Sequence, residues 1–360
     1  MTLWRPSLDR APAMRALALV DRERVEVRDV PVPDVQPDEI RIDVAAAGIC
    51  GSDLSAWRGH HPFRIPPVVL GHEVSGVIVA VGTDVDPARV GERVAIEPQR
   101  LCGVCAHCRA GRNQLCERKV LPGMDGWFGS IAEQFVAPAA MAHPLPDSLD
   151  LELAALAEPL AVAVHSVRQG AVESGWTVNV IGAGTIGLLV TLVAASRGAS
   201  VNLVTDVDED RLDAARTRGV AETLNARDVD IEEYAAAHPR LHADVTVVAA
   251  TAPRSLVEAT ALTKPGGTIV LLGLYGDTAV INASDLVMRE QRIVASVTYD
   301  SSDFRAAIAM LDARPVVFGT FLTRRIAMED ADEEFSAQAS RSRFSLKTLI
   351  LPRAHSEESR

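Results

Sequence analysis

The chain has 360 residues, 48% of them hydrophobic, and 36 basic against 48 acidic residues leave a net charge of −12. That length suggests two domains or three, and the apolar fraction excludes wholesale disorder. The acidic balance argues against a nucleic-acid partner and against docking on anionic lipid, and 4% aromatics make a stacking platform unexpected. No run of 18 residues is purely apolar, because the strongest candidate, Val178–Ala195, is broken by Gly182, Gly184 and Gly187. The N-terminus lacks the apolar stretch of a secretory signal, so a cytoplasmic protein is expected.

Residues 1–13 read as an extension. From Met14 the alternation MRALALVDRERVEVRDV predicts two strands around a tight turn. Further strands are expected at Glu39–Ala46, Val74–Val81 and Arg93–Ile96, which makes the first section a β-rich domain. Composition shifts near residue 150. An Ala- and Leu-rich helix is expected over Leu151–Gln169, followed by a strand at Thr177–Ile181 and a loop at Gly182–Gly187. A helix to about Arg197, a strand at Val201–Thr205 and a helix at Glu209–Arg218 come next. Buried strands at Val245–Ala249 and Thr268–Leu272 complete the pattern of a doubly wound parallel sheet. A helix at Ser302–Ala313, a strand at Ser345–Leu351 and a polar tail end the chain.

Four of the five cysteines, Cys102, Cys105, Cys108 and Cys116, form C-x2-C-x2-C-x7-C. Four thiolates so close in sequence can close a tetrahedron around a structural zinc. An iron–sulfur cluster or metal-free thiols are the other readings. The fifth cysteine, Cys50, lies in GICGSD, with His72 and Glu73 in LGHE and Glu158 in AEPLAVAVHS. Each alone reads as ordinary packing or a helix start. Together they offer a thiolate, an imidazole and one or two carboxylates, the ligand set of a catalytic zinc with an open position. Asp53 is a candidate to accept the second ring N–H of His72.

The third constellation is Gly182-Ala-Gly184-Thr185-Ile186-Gly187, a G-x-G-x-x-G between an expected strand and an expected helix. The first glycine suits a tight turn, the second the approach of a pyrophosphate, and the third close helix–strand packing. Asp206 ends the next strand 19 residues after Gly187, where an acid binds the adenosine ribose diol. It would repel a 2′-phosphate, so NAD is favoured over NADP, with Arg211 nearby as a counterargument.

GHEVSGVIVAVG, the four-cysteine loop, AEPLAVAVHSV and VIGAGTIGLL, in this order, resemble the zinc-dependent medium-chain dehydrogenases, nearest the sorbitol, threonine and butanediol dehydrogenase branch. The resemblance covers Met14 to Pro352. It implies a GroES-like catalytic domain carrying two zincs (residues 1–160, completed by 300–360) and a Rossmann domain (161–299), with the active site in the cleft between them. It further implies a homodimer or homotetramer, and a secondary alcohol or ketone as the small-molecule substrate. The reaction it implies is reversible alcohol oxidation, with hydride passing to NAD. A biosynthetic ketone reductase, on a sugar or aminocyclitol, and a non-catalytic NAD-binding protein are the alternatives.

By motif, Cys50, His72 and Glu158 match the catalytic zinc ligands, and Glu73 a carboxylate that enters or leaves the metal shell. Ser52 matches the hydroxyl that takes the substrate proton. Gly266 and Gly267 match the sheet end near the nicotinamide. Two positions depart from the family pattern. Ser55 stands where a relay histidine is usual, with His60 or His61 as substitutes, and Thr298 stands where an arginine often precedes the tyrosine matching Tyr299. Trp57, Trp127, Phe128 and Tyr299 are candidates to line the substrate pocket, with ordinary packing as the alternative.

Overall fold

The computed structural model describes residues 12–124, 126–273, 279 and 281–353. The extension expected over residues 1–13 and the polar tail therefore lie largely outside the described residues. The chain divides into two units, one up to Glu158 and again from Phe304, the other Pro159–Asp303.

The first unit is built on a seven-stranded sheet. Its path runs Leu322–Ile326, Lys347–Ile350, Glu39–Gly48, Glu73–Val81, Arg93–Ile96 and Ala142–Pro144, with Gln134–Pro138 also pairing onto Glu39–Gly48. The period-2 pattern of Glu39–Gly48 explains its placement. Ile40, Ile42 and Val44 are buried, while Arg41 and Asp43 between them are only half-buried. A smaller sheet orders Arg24–Pro31, Ala13–Asp21 and Val68–Val69. Leu17, Ile78, Val94, Phe135 and Phe335 share one core in this unit.

The second unit is a six-stranded sheet in the order Glu222–Asn225, Ser200–Asp206, Thr177–Ile181, Ala243–Val248, Thr263–Leu271 and Arg292–Ala295. Every neighbouring pair is parallel. Thr177–Ile181 enters first and lies centrally, and the chain then winds out to each side in turn. The glycine-rich turn therefore leaves the sheet at its topological switch point.

The helix expected over Leu151–Gln169 is two helices, Leu151–Ala154 and Ala157–Gln169. Pro159 has no N–H to give the carbonyl four residues back, and its ring crowds that carbonyl, so one continuous helix is disfavoured at Ala155. The strand expected from Thr268 begins five residues earlier, at Thr263. The helix Ala331–Ser340 was not expected, because three acids crowd its first turn and only scattered residues are apolar.

Candidate active site and metal centres

The four-cysteine loop brings its sulfurs within 4.8 Å of one another. Cys116 Sγ is 3.6 Å and Cys108 Sγ 3.9 Å from Cys102 Sγ. A tetrahedron with Zn–S of ~2.3 Å separates its sulfurs by ~3.8 Å, so the loop has the right size for zinc. Backbone N–H groups of Cys102, Cys105 and Cys108 donate to sulfurs of Cys116, Cys102 and Cys105. The N–H groups of Val104 and Cys105 bring the Cys102 thiol down to about 6, which favours the thiolate a metal requires.

A second group gathers Cys50, His72 and Glu73, again with ligand atoms within 4.8 Å. Cys50 precedes the helix Gly51–Trp57, and His72 immediately precedes the strand opened by Glu73. Thiolate, imidazole and carboxylate make a donor set suited to a catalytic zinc. Glu158, in the first turn of Ala157–Gln169, stands outside that group but is close enough to raise the Lys347 ammonium.

Glu73 is not free to move without consequence. Lys347 Nζ donates to both of its carboxylate oxygens at 2.7 Å and to Ile49 O at 2.9 Å, with Lys347 4% and Glu73 1% exposed. Burial pulls the Lys347 ammonium down, but Glu73 and Cys50 outweigh it and hold it above the ordinary lysine value. Gly48 pairs with Glu73 on one side and with Leu349 on the other. A Cβ on Gly48 would lie 1.9 Å from Glu73 Oε2. Glycine there leaves the carboxylate room to reach the lysine.

Ser52 and Asp53 sit in the first turn of Gly51–Trp57. Asp53 is fully buried and accepts from Cys50 N at 3.0 Å and Gly71 N at 3.3 Å. Its Oδ1 lies 3.7 Å from His72 Nδ1, in the place expected for the second-ring partner. Burial would raise its carboxyl, but His72, Arg64 and the Cys50 N–H hold it well below the usual carboxylate range. The side chain that touches Ser52 is Arg64, whose Nη1 donates to Oγ at 2.9 Å. His61, one of the expected relay substitutes, instead turns Nδ1 to the backbone N–H of Arg64 at 3.2 Å. Burial, then the Arg64 charge, push the His61 imidazole down to about 4. His60 is exposed.

In the second unit, Gly182 takes φ +102°, a conformation that favours glycine. A Cβ on Gly187 would lie 1.8 Å from Gly182 O, so the helix Thr185–Ser196 can start this close to the strand only with glycine there. Beside Gly184 the nearest atom to a built Cβ is Arg211 Nη1, 3.9 Å away, which leaves open space above the turn. Gly184 caps the helix without a side chain, so Thr185 and Ile186 open a helix N-terminus suited to phosphate. Asp206 closes the next strand, accepts from Ala183 N at 2.7 Å and lies 3.7 Å from Arg211 Nη1.

Gly266 and Gly267 are at the wrong end for a nicotinamide site. They precede Thr268, which pairs with Val245, itself level with Val178 near the start of the sheet. The glycine-rich turn follows Ile181, level with Val248 and Leu271. At ~3.3 Å per residue, Gly267 is about 13 Å from Leu271.

Of the aromatic candidates, Trp57 (7% exposed) and Tyr299 (1%) are core residues. Trp127 donates from Nε1 to Val136 O and stacks on Phe135, yet with Phe128 it also edges a cavity of about 420 Å³. Sequence reasoning missed Arg64, Lys347 and Gly48. Lys347 had a signal, the lone charge inside FSLKTLI; Arg64 and Gly48 had none.

Residues 36–147 match the alcohol dehydrogenase GroES-like domain, and 185–313 match the zinc-binding dehydrogenase domain. D-xylulose reductase A of Aspergillus niger is 32% identical over 341 residues, covering 91% of this chain and 93% of its own. A solved Sinorhizobium meliloti 1021 structure, described as a zinc-binding dehydrogenase bound to NADP, is 31% identical. It superposes with TM-score 0.87 over 95% of this chain and 100% of its own. The 2R,3R-butanediol dehydrogenase of Bacillus subtilis is 27% identical with TM-score 0.85, covering 94% and 99%.

Proposed function

The chain belongs to the zinc-dependent medium-chain dehydrogenases, and from that premise we propose that it is an NAD-linked oxidoreductase of a secondary alcohol borne on a polyol or sugar. The observation that carries the reading is the convergence of Cys50, His72 and Glu73 within 4.8 Å, on the unit that also holds the four-cysteine loop. In this reading Cys50, His72 and one of Glu73 or Glu158 hold a catalytic zinc, and Cys102, Cys105, Cys108 and Cys116 a structural one. When bound, the first metal supplies Lewis-acid polarisation of an alcohol oxygen, and the dinucleotide supplies the hydride acceptor.

The chain's own residues do the rest. Ser52 Oγ takes up the substrate proton. Asp53, 3.7 Å from His72 Nδ1, is placed to attract that ring proton and so to leave the other nitrogen to a metal. Lys347 restrains Glu73. The Gly182–Gly187 turn and its helix N-terminus hold the pyrophosphate, and Asp206 binds the ribose diol and repels a 2′-phosphate. The relatives' named substrates, D-xylulose and 2R,3R-butanediol, support a secondary carbinol or its ketone as the reacting group.

Self-association belongs to the same reading. The strand Arg292–Ala295 is at the sheet edge among the described residues, with Val287, Met288, Ile293 and Val297 exposed around it, and such an apolar edge favours pairing with a second copy. Light scattering on the purified protein decides this point. A cytoplasmic setting fits as well, since the thiolates must stay reduced to hold zinc. No described helix is long and apolar enough to cross a membrane.

The deciding experiment is zinc per chain on wild type and Cys50→Ala, with turnover of D-xylulose and 2R,3R-butanediol using NAD(H) and NADP(H). Two zincs falling to one, with activity lost and dinucleotide binding kept, is the expected result. One zinc in both proteins would remove the catalytic site.

A further inference from the structure

Arg64 is buried to 4% exposure in the first unit. Nη1 donates to Ser52 Oγ at 2.9 Å and to Asp53 Oδ1 at 3.3 Å. Nη2 lies 3.3 Å from His72 Nδ1, and Nε donates to Pro122 O at 3.2 Å. One planar group thus ties the first turn of Gly51–Trp57 to the turn at Pro122, and through Asp53, which accepts from Gly71 N, to the loop before Glu73. Its backbone is tied down in addition by His61 Nδ1. A buried guanidinium is costly unless its donors are used; here Nε and Nη1 are used, and Nη2 can bond His72 Nδ1 only in the tautomer that does not donate to Asp53.

We propose that Arg64 is a positioning residue: its fork clamps Ser52 and Asp53 to the His72 loop, and so sets how tightly the Cys50–His72–Glu73 group holds its metal and how Ser52 is presented. The proposal rests on the metal-site reading above. The reasoning is geometric. With the Nδ1 proton directed at Asp53, Nε2 is the ring nitrogen left open to a metal, and the ring angle then depends on where Arg64 holds Asp53. Ser52 has one lone pair engaged by Arg64, so its remaining lone pair accepts the substrate proton while its own O–H donates onward. An arginine does not accept a proton at working pH. The group touching Ser52 therefore orients it and cannot act as the next relay station in place of the histidine missing at Ser55.

The test uses the full-length zinc-loaded enzyme with Arg64→Met and Arg64→Lys. Zinc per chain is measured after dialysis against graded chelator, with the four-cysteine zinc as an internal control in the same molecule. Loss of a ligand-orienting partner weakens metal binding about 10–100-fold. One of the two zincs in Arg64→Met is expected to leave at chelator concentrations lower by that factor, while the other leaves as in wild type. Arg64→Lys should recover less than half of the logarithmic shift, because a single ammonium cannot replace a planar fork. Release of both zincs together, an unshifted curve, or full rescue by lysine would each overturn the proposal. If the methionine variant does not fold, the lysine variant decides alone: a shift of at least about 5-fold confined to one zinc supports the clamp, and none refutes it. Failure of the underlying reading shows separately, as a single zinc in wild type.

Discussion

Lys347→Met removes the cation that, among the described residues, is hydrogen-bonded to Glu73, and leaves an unbranched side chain one atom shorter. The pair is buried, with two 2.7 Å bonds, and breaking a buried ion pair by deleting one partner costs about 3–5 kcal/mol. The expected loss is therefore about 3–5 kcal/mol at pH 7. Urea unfolding followed by tryptophan fluorescence measures it. The double variant Lys347→Met/Glu73→Gln should recover at least about 2 kcal/mol relative to additivity. A loss below about 1 kcal/mol at pH 7 would refute the assignment of Lys347 as the partner that offsets the buried Glu73 charge.

Two glycine substitutions should separate packing from ligand space. Gly187→Ala drives a Cβ to 1.8 Å from Gly182 O, a backbone atom, so both thermal stability and dinucleotide binding should fall. Gly184→Ala meets nothing closer than 3.9 Å and should fold normally, yet lose at least about 10-fold in NADH affinity by calorimetry. At the start of the parallel sheet, Asp244 accepts from Thr177 N and Oγ1 at 2.8 Å and from Lys264 Nζ at 2.9 Å. Burial would raise its carboxyl, but Thr177 and Lys264 hold it below the usual range. A depressed carboxylate contributes stability above its unfolded pKa of ~3.9, lost as pH falls through the folded value. Asp244→Asn should therefore cost about 1 kcal/mol at neutral pH, discounted for its partial exposure, and almost nothing near pH 3; a constant penalty would contradict this.

The motifs that were legible share one property: their residues are close in sequence. Four cysteines within one loop, or three glycines and an acid one strand apart, meet because local geometry makes them meet. The period-2 pattern of Glu39–Gly48 and the strand–turn–helix around Gly182 were readable for the same reason. Cys50, His72 and Glu158 were legible only as a set, by their combined donor chemistry, and the structure brings Cys50 and His72 together with Glu73 while leaving Glu158 outside the tight group.

What sequence alone determined was thus the class of each half, the compact four-cysteine loop and the glycine-rich turn between strand and helix. Tertiary structure decided which partners each candidate has. Lys347 meets Glu73 across 274 positions because the strands carrying them flank Glu39–Gly48, and Gly48 between them has no side chain to keep them apart. Arg64 meets Ser52, Asp53 and His72 because its loop folds back over the helix start. Gly266 and Gly267 fell at the opposite end of the sheet because parallel register, not motif order, assigns a residue to one edge or the other. Register and loop closure are set by the packing of whole faces, and no short window of sequence contains that information.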